Sequence, residues 1–303
     1  VIITQPDRTA DIDLLYDSGV RYRFGQVSFT TKQDNQSLPL KLSLLQQLAP
    51  FDEGEPYEAE KIIKFNKALL DSRYFNEVRV RADPDPSEQS KEIPINVLLA
   101  ADTPNQFDLG AGYATDVGAR VSLAWRRPLL NEKGHSIEIT SEISQVRQSM
   151  DFRYGIPWRH PINDTLQIIA GFKREDIDNT TITKNAIFGV ERQKKRDNGW
   201  QTNESVRWSR ESYNKNNGEE GQSDLLLPGY ALNRLRTKGS KTDPSSGDRQ
   251  YYQVEFASPD LLSDADLLSV RMGWRLLRTY ADRHQLSLRA DVGSIFSSDF
   301  DRV

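Results

Sequence analysis

Apolar and polar residues alternate one-to-one along most of this chain, and the alternation begins abruptly at Gln106. In QFDLGAGYATDVGARVSLAWR, residues 106–126, Phe107, Leu109, Ala111 and Tyr113 share one face of an extended segment. Asp108, Gly110, Gly112 and Ala114 share the other. Thr115-Asp116-Val117-Gly118 is a turn signal, after which Val121, Leu123 and Trp125 alternate with Arg120, Ser122 and Arg126. A period of two predicts strands, here the first hairpin of a long antiparallel sheet. About eleven strand candidates follow one another from Gln106, mostly of ten residues or more. The clearest apolar faces are Leu268, Val270, Met272, Trp274 and Leu276, then Leu286, Leu288, Ala290 and Val292. Phe152 to Trp158 and Leu166 to Phe172 give two more.

Before Gln106 the periodicity is mixed. Ile12 to Tyr16 reads as one strand, the tail of a preceding domain. Arg21 to Thr30 is a second strand, with Gly25 marking a bulge. Pro39 opens a helix with Leu40, Leu44, Leu45 and Leu48 on one face, and a Pro- and Gly-containing stretch from Pro50 to Pro56 breaks it. Tyr57 to Ser72 is a second helix with Ala59, Ile62, Ile63, Phe65, Leu69 and Leu70 as its stripe. Tyr74 to Arg81 and Ile93 to Ala101 are strands. The expected core is Phe24, Val27, Phe29, Leu45, Ile62, Phe65, Leu69 and Val80.

Composition decides between two readings of the alternating region. Apolar residues are 37% of the 303 and charged ones 28%, which suits a soluble sandwich. A transmembrane β-barrel is apolar only at every second position, so it has the same low mean hydropathy. Strands longer than the five or six residues of soluble sheets favour the barrel. So do Tyr113, Trp125, Tyr154, Trp158, Trp208, Tyr213, Tyr252 and Tyr280, read as interface aromatics near strand ends. Even-numbered connections read as short turns, apart from a long eighth one at Thr237 to Asp248; odd-numbered ones include a longer loop at Asn214 to Ser223. A net charge of −4 gives no support to a nucleic-acid partner. The absence of cysteine excludes disulfides and thiol chemistry. The chain begins at Val1, so the lack of a leader carries no information.

The stretches LAPFDEGEPYEAEKI and LLDSRYFNEVRVRADPDP, in a strand–helix–helix–strand–strand unit, resemble a POTRA domain. GAGYATDVGARVSLAWRRPLLNEKGHSIEI resembles the start of the barrel in the TamA branch of the BamA/TamA superfamily of outer-membrane barrel-assembly factors. The resemblance covers nearly the whole chain. It implies an α+β POTRA domain at 21–102, the tail of another at 1–20, and from 103 to 303 the N-terminal part of an antiparallel transmembrane barrel. About eleven strands of an expected sixteen are present; the sixth extracellular loop, its Arg-Gly-Tyr motif and the last strands would follow Val303. It further implies a lateral gate at the first strand, here Phe107, Leu109, Gly110, Gly112 and Tyr113. Clients would be unfolded outer-membrane proteins, including autotransporters, in contact with outer-membrane lipid. A TamB-like periplasmic partner anchored in the inner membrane is implied too. The strand containing Asn76, Val78 and Val80 would add partner strands by β-augmentation. A two-partner-secretion transporter of the same superfamily is the alternative, and a passive channel or soluble β binding module a further one.

No enzymatic or cofactor reading competes. Gly110-Ala111-Gly112 is followed by a turn and not by a helix, against a nucleotide loop. The two glycines read equally as a weakened gate strand or as strand glycines on a crowded lumen face. His135, His160 and His284 are isolated, against a metal site. Ser, His and Asp lack any nucleophile-elbow spacing. Arg207, Arg210, Arg271, Arg275 and Arg289 read as solvated lumen residues, and Lys194-Lys195-Arg196 as a basic turn.

Overall fold

The computed structural model describes residues 2–4, 9–11, 21–32, 37–83, 91–101, 103–115, 118–177, 180–240, 242–281 and 283–298. The expected strand at Ile12 to Tyr16 lies outside them, as do Asp116 and Val117 of the first turn. β1 (Ile2–Thr4) and β2 (Thr9–Asp11) form a small antiparallel pair.

Next come β3 (Arg23–Thr31), α1 (Leu42–Gln46), α2 (Ala59–Asp71), β4 (Phe75–Ala82) and β5 (Glu92–Ala101), in the expected order. Their sheet runs β3-β5-β4, with β3 parallel and β4 antiparallel to β5. A parallel pair needs a crossover, and the two helices supply it. The register slips at Gly25, where a Cβ would stand 3.0 Å from the Ile93 carbonyl oxygen. Alternate residues of β5, Ile93, Ile95, Val97 and Leu99, are buried. They meet Phe24, Leu45, Phe65 and Leu69, with Val27, Phe29, Ile62 and Val80 half-buried around them. Phe51 stacks on Phe24 at 3.9 Å and meets Phe65 edge-on at 5.6 Å. Two helix expectations need correction. α1 is a single turn that does not begin at Pro39, although Leu40 and Leu48 are buried beside it. The stripe on α2 is narrower than read: Ile63 and Leu70 face solvent, at 68% and 42% exposure. Each lies one residue, about 100° of helix, from the core-facing Ile62 and Leu69.

The remaining strands are β6 (Gln106–Ala114), β7 (Gly118–Arg127), β8 (Ser136–Ser144), β9 (Arg147–His160), β10 (Asp164–Ile177) and β11 (Thr181–Lys195). They continue as β12 (Trp200–Lys215), β13 (Glu220–Gly239), β14 (Pro244–Ala257), β15 (Leu267–Tyr280) and β16 (His284–Phe296). All eleven pair in sequence as one antiparallel sheet, with β6 and β16 as its two edges. Register carries the alternation across strands. Phe107, Trp125, Ile139, Phe152, Ala170, Phe188, Trp208 and Leu226 stand opposite one another in turn. The neighbouring row, on the other face, is Gln106, Arg126, Glu138, Arg153, Ile169, Gly189, Arg207 and Leu227.

The apolar face is the uncovered one: Leu109, Tyr113, Phe188, Val206, Leu288 and Val292 are 80%, 78%, 55%, 50%, 53% and 59% exposed. An uncovered apolar face this wide marks a surface that lipid or another protein covers. The polar face is the concave one, because side chains two strands apart meet there: Arg207 of β12 pairs with Glu255 of β14. No helix among the described residues is long and apolar enough to cross a membrane, which leaves strand crossing untouched.

Four expectations about this sheet change. The long eighth connection shortens, since β13 runs to Gly239 and β14 starts at Pro244, with a register shift between Lys238 and Gly239. The longer loop at Asn214 to Ser223 likewise shrinks to residues 216–219. Polar, Gly-containing runs that read as loops are strand where the neighbouring backbone offers a partner. Arg210 and Tyr213 exchange faces with their expected roles: Arg210 shares the outer face with Trp208, whereas Tyr213 is on the concave face opposite Gly221. Trp208 sits in mid-strand, whereas Tyr154 and Tyr252, though several residues inside β9 and β14, stand level with Ile137 near the start of β8 and beside Trp200 at the start of β12.

Candidate functional site

The candidate site is the free edge of β6 and its joint with the small domain. β6 has nine residues and, among the described residues, pairs with β7 alone. Phe107, Leu109 and Tyr113 point outward and are 64%, 80% and 78% exposed. Phe107 stacks over Trp125 with ring centroids 6.4 Å apart, and the Trp125 indole donates to Asn105 Oδ1 at 3.1 Å, anchoring the start of the strand. Gly110 and Gly112 lie on the concave face against Ser122 and Arg120. The other glycines inside these strands, such as Gly171, Gly189, Gly229 and Gly273, occupy that same face. On the same face a charge ladder holds the strand's lower end. Asp108 pairs with Arg126, Arg126 Nε donates to Glu138 at 2.7 Å, and Arg153 Nη1 donates to the other Glu138 oxygen at 3.2 Å.

The small domain docks on the rim formed by the even-numbered connections. Leu129 and Ile162, from the β7–β8 and β9–β10 connections, pack against its core. The Lys41 amide donates to the Glu132 carbonyl at 2.9 Å. The Tyr74 hydroxyl donates to the Gly134 carbonyl at 3.0 Å. Burial pushes the Tyr74 phenol up to about 12, so it stays a donor at any physiological pH. Gly134 has φ +77, and a Cβ there would meet Tyr74 Oη at 3.0 Å. A cleft of about 620 Å³ runs along the joint between Arg73, Tyr74 and Ala101 on one side and Leu129 to Glu132 on the other.

β4 is an edge of the small sheet, so its backbone is open on one side. Val78 and Val80 turn half-buried side chains to the core, while Asn76 is exposed at a register shift between Phe75 and Glu77. Lys32 donates to Glu77 at 2.8 Å and holds that carboxyl below its ordinary range. The edge that β4 offers is therefore backbone with an ionic rim. The histidines do local work: His160 Nδ1 accepts from the Ile162 and Asn163 amides at 3.2 and 3.1 Å, and His135 contacts the Tyr154 hydroxyl at 2.7 Å. Sequence reasoning missed the docking residues Tyr74, Leu129, Gly134 and Ile162. The available signal was apolar Leu129-Leu130 and Pro161-Ile162 inside connections that read as plain turns.

No family model matches the chain. The outer membrane protein assembly factor BamA of Buchnera aphidicola subsp. Acyrthosiphon pisum (strain APS) is 23% identical over 157 residues, covering 52% of this chain and 24% of that protein. The crystal structure of BamA from Haemophilus ducreyi lacking POTRA domains 1–3 superposes with a TM-score of 0.71 at 11% identity, covering 98% of this chain and 59% of that one. CdiB from Acinetobacter baumannii and from Escherichia coli give TM-scores of 0.53 and 0.54 at 11% and 10% identity, covering 92% and 91% of this chain. They are matched over 53% and 55% of their own length. The fold is thus that of BamA-like outer-membrane β-barrels. The chain spans little more than half of those solved chains and about a quarter of the curated relative.

Proposed function

We propose that this chain belongs to a TamA-like factor of the outer membrane that helps insert or translocate autotransporters and other β-barrel clients, and that it is not an enzyme. In this reading residues 103–303 are the first part of the barrel, residues 21–102 are a periplasmic POTRA domain, and residues 1–20 are the tail of another. The observation that carries it is an eleven-stranded antiparallel sheet whose outer face is exposed and apolar, with the short, glycine-containing β6 as its first strand. In lipid an unpaired strand edge is costly, and a client strand that pairs with it removes the cost. Phe107, Leu109 and Tyr113 would face lipid at that gate, and the backbone between Gly110 and Gly112 would form the template. Asn76, Val78 and Val80 on β4 would offer a second edge for an incoming segment or for a TamB-like partner anchored in the inner membrane. A two-partner-secretion transporter is the second reading, favoured by the fold similarity to CdiB.

Residues 1–303 contain no cysteine and so add no competing thiol to a cross-link. In the full-length protein, Leu109→Cys paired with a cysteine in the strand that neighbours β6 should block client assembly when oxidised and release it on reduction. Unchanged assembly in the oxidised form would remove β6 as the gate. A protein that secretes one dedicated partner, and assembles no barrel clients, would instead fit the second reading.

A further inference from the structure

We propose that the outer wall of β13–β15, at the rim that carries the small domain, holds the phosphate headgroup of an anionic phospholipid. The proposal rests on the reading that the exposed apolar face is covered by lipid. Along β13 that face runs Leu226, Tyr230, Leu232 and then turns basic at Arg234, Arg236 and Lys238. Register places Lys238 opposite Ser246, and Ser246 opposite Arg278 of β15. A cation, a hydroxyl and a second cation therefore stand in one row, spanning roughly 10 Å from the first strand to the third. Lys238 is exposed, and Arg278 Nη1 donates to the Gly247 and Leu277 carbonyls at 3.0 and 2.8 Å; neither side chain makes an ion pair among the described residues. One row inward, Asp248 is the acid on this end of the face, and Arg236 already neutralises it at 2.8 Å.

Next to the basic rows lies an aromatic belt. Arg234 lies over the Trp200 ring at 5.4 Å. Trp200 and Tyr252 centroids are 6.2 Å apart, Tyr252 and Trp274 centroids 5.8 Å, and the Trp274 indole donates to Tyr252 Oη at 2.8 Å. Indole and phenol rings of this kind settle at the boundary of hydrocarbon and headgroups. That boundary puts Lys238, Ser246 and Arg278 at headgroup depth, where a phosphodiester accepts charge-assisted hydrogen bonds from ammonium and guanidinium groups. At the opposite end of the same wall β13 presents Glu220 and Asp224, the latter neutralised by Arg210 of β12 at 2.7 Å. A zwitterionic lipid gains nothing from this asymmetry, whereas an anionic one is drawn to this rim.

The test uses the full chain in phosphatidylcholine vesicles containing a minor fraction of phosphatidylglycerol, with retained lipid counted by native mass spectrometry. Wild type should keep phosphatidylglycerol over phosphatidylcholine. Lys238→Gln/Arg278→Gln should lower that preference about 25-fold, roughly fivefold per charge removed. Lys238→Gln alone, at an exposed side chain with no contact to lose, should lower it about fivefold. Arg275→Gln, on the concave face, should leave it unchanged. No preference in wild type, or an undiminished one in the variants, would overturn the proposal. Competition by soluble glycerol phosphate as effective as by the lipid would overturn it as well, in favour of a free anion. Failure of every form to enter phosphatidylcholine vesicles would show up separately and would overturn the lipid-covered reading itself.

Discussion

Arg207 on β12 and Glu255 on β14 form an ion pair across the intervening strand, over Gly229. Strands two apart are separated by roughly 10 Å, a gap that a long arginine and a glutamate close over the glycine between them. A Cβ on Gly229 would stand 2.9 Å from Ser205 Oγ and 3.1 Å from Glu255 Cγ. Glu255 is buried, with 7% of its surface exposed.

Glu255→Ala leaves the Arg207 guanidinium unpaired on the concave face. The expected loss is about 2 kcal/mol, below the 3–5 of a fully buried pair because Arg207 keeps part of its surface in water. Arg207→Leu/Glu255→Leu should be less destabilising than Glu255→Ala. Urea unfolding in vesicles followed by tryptophan fluorescence measures both; equal or reversed losses would mean the pair is not coupled.

The two faces of β16 should respond in opposite ways. Leu288→Arg puts a cation on the outer face and should cost roughly 2–4 kcal/mol of membrane stability. Arg289→Leu, one residue on and facing the lumen, should insert as wild type does. Comparable yields of vesicle-inserted protein for the two would refute the assignment of the faces.

The small domain depends on Phe65, fully buried between Phe29 and Phe51. Phe65→Ala should cost about 3–5 kcal/mol. Urea titration of the full chain should then show amide exchange in β3 and β5 released well before exchange in β9–β12. Simultaneous release would mean the two parts unfold as one unit.

Docking of the small domain should weaken in strong alkali. The Tyr74 phenol is raised from near 10 to about 12, so its contribution is complete below the unfolded-state value and is lost as pH rises toward the folded one. Between about pH 9 and about pH 11 wild type should lose roughly 1.4 kcal/mol more than Tyr74→Phe. Tyr74→Phe itself should cost about 1 kcal/mol near neutral pH, for the hydrogen bond to Gly134. Matched pH profiles for the two proteins would remove Tyr74 from the joint.

The sequence by itself determined the number and faces of the strands, because a two-residue period is a local property: Leu268 to Leu276 and Leu286 to Val292 can present one apolar face only if extended. It also determined the order of the small domain and the bulge at Gly25. Tertiary structure decided where the strands end. Lys238-Gly239 and Asn214-Lys215 read as loop, yet an adjacent backbone pairs them, and pairing depends on a neighbour distant in the chain. The same local period places Arg210 on the outer face, two residues from Trp208, although its charge suggests the lumen. Tertiary structure decided the joint at Tyr74 and Gly134, sixty residues apart and joined by one hydrogen bond. And it paired each strand with its neighbours in sequence: every strand carries the same backbone donors and acceptors, and only the sheet decides which partner each one takes.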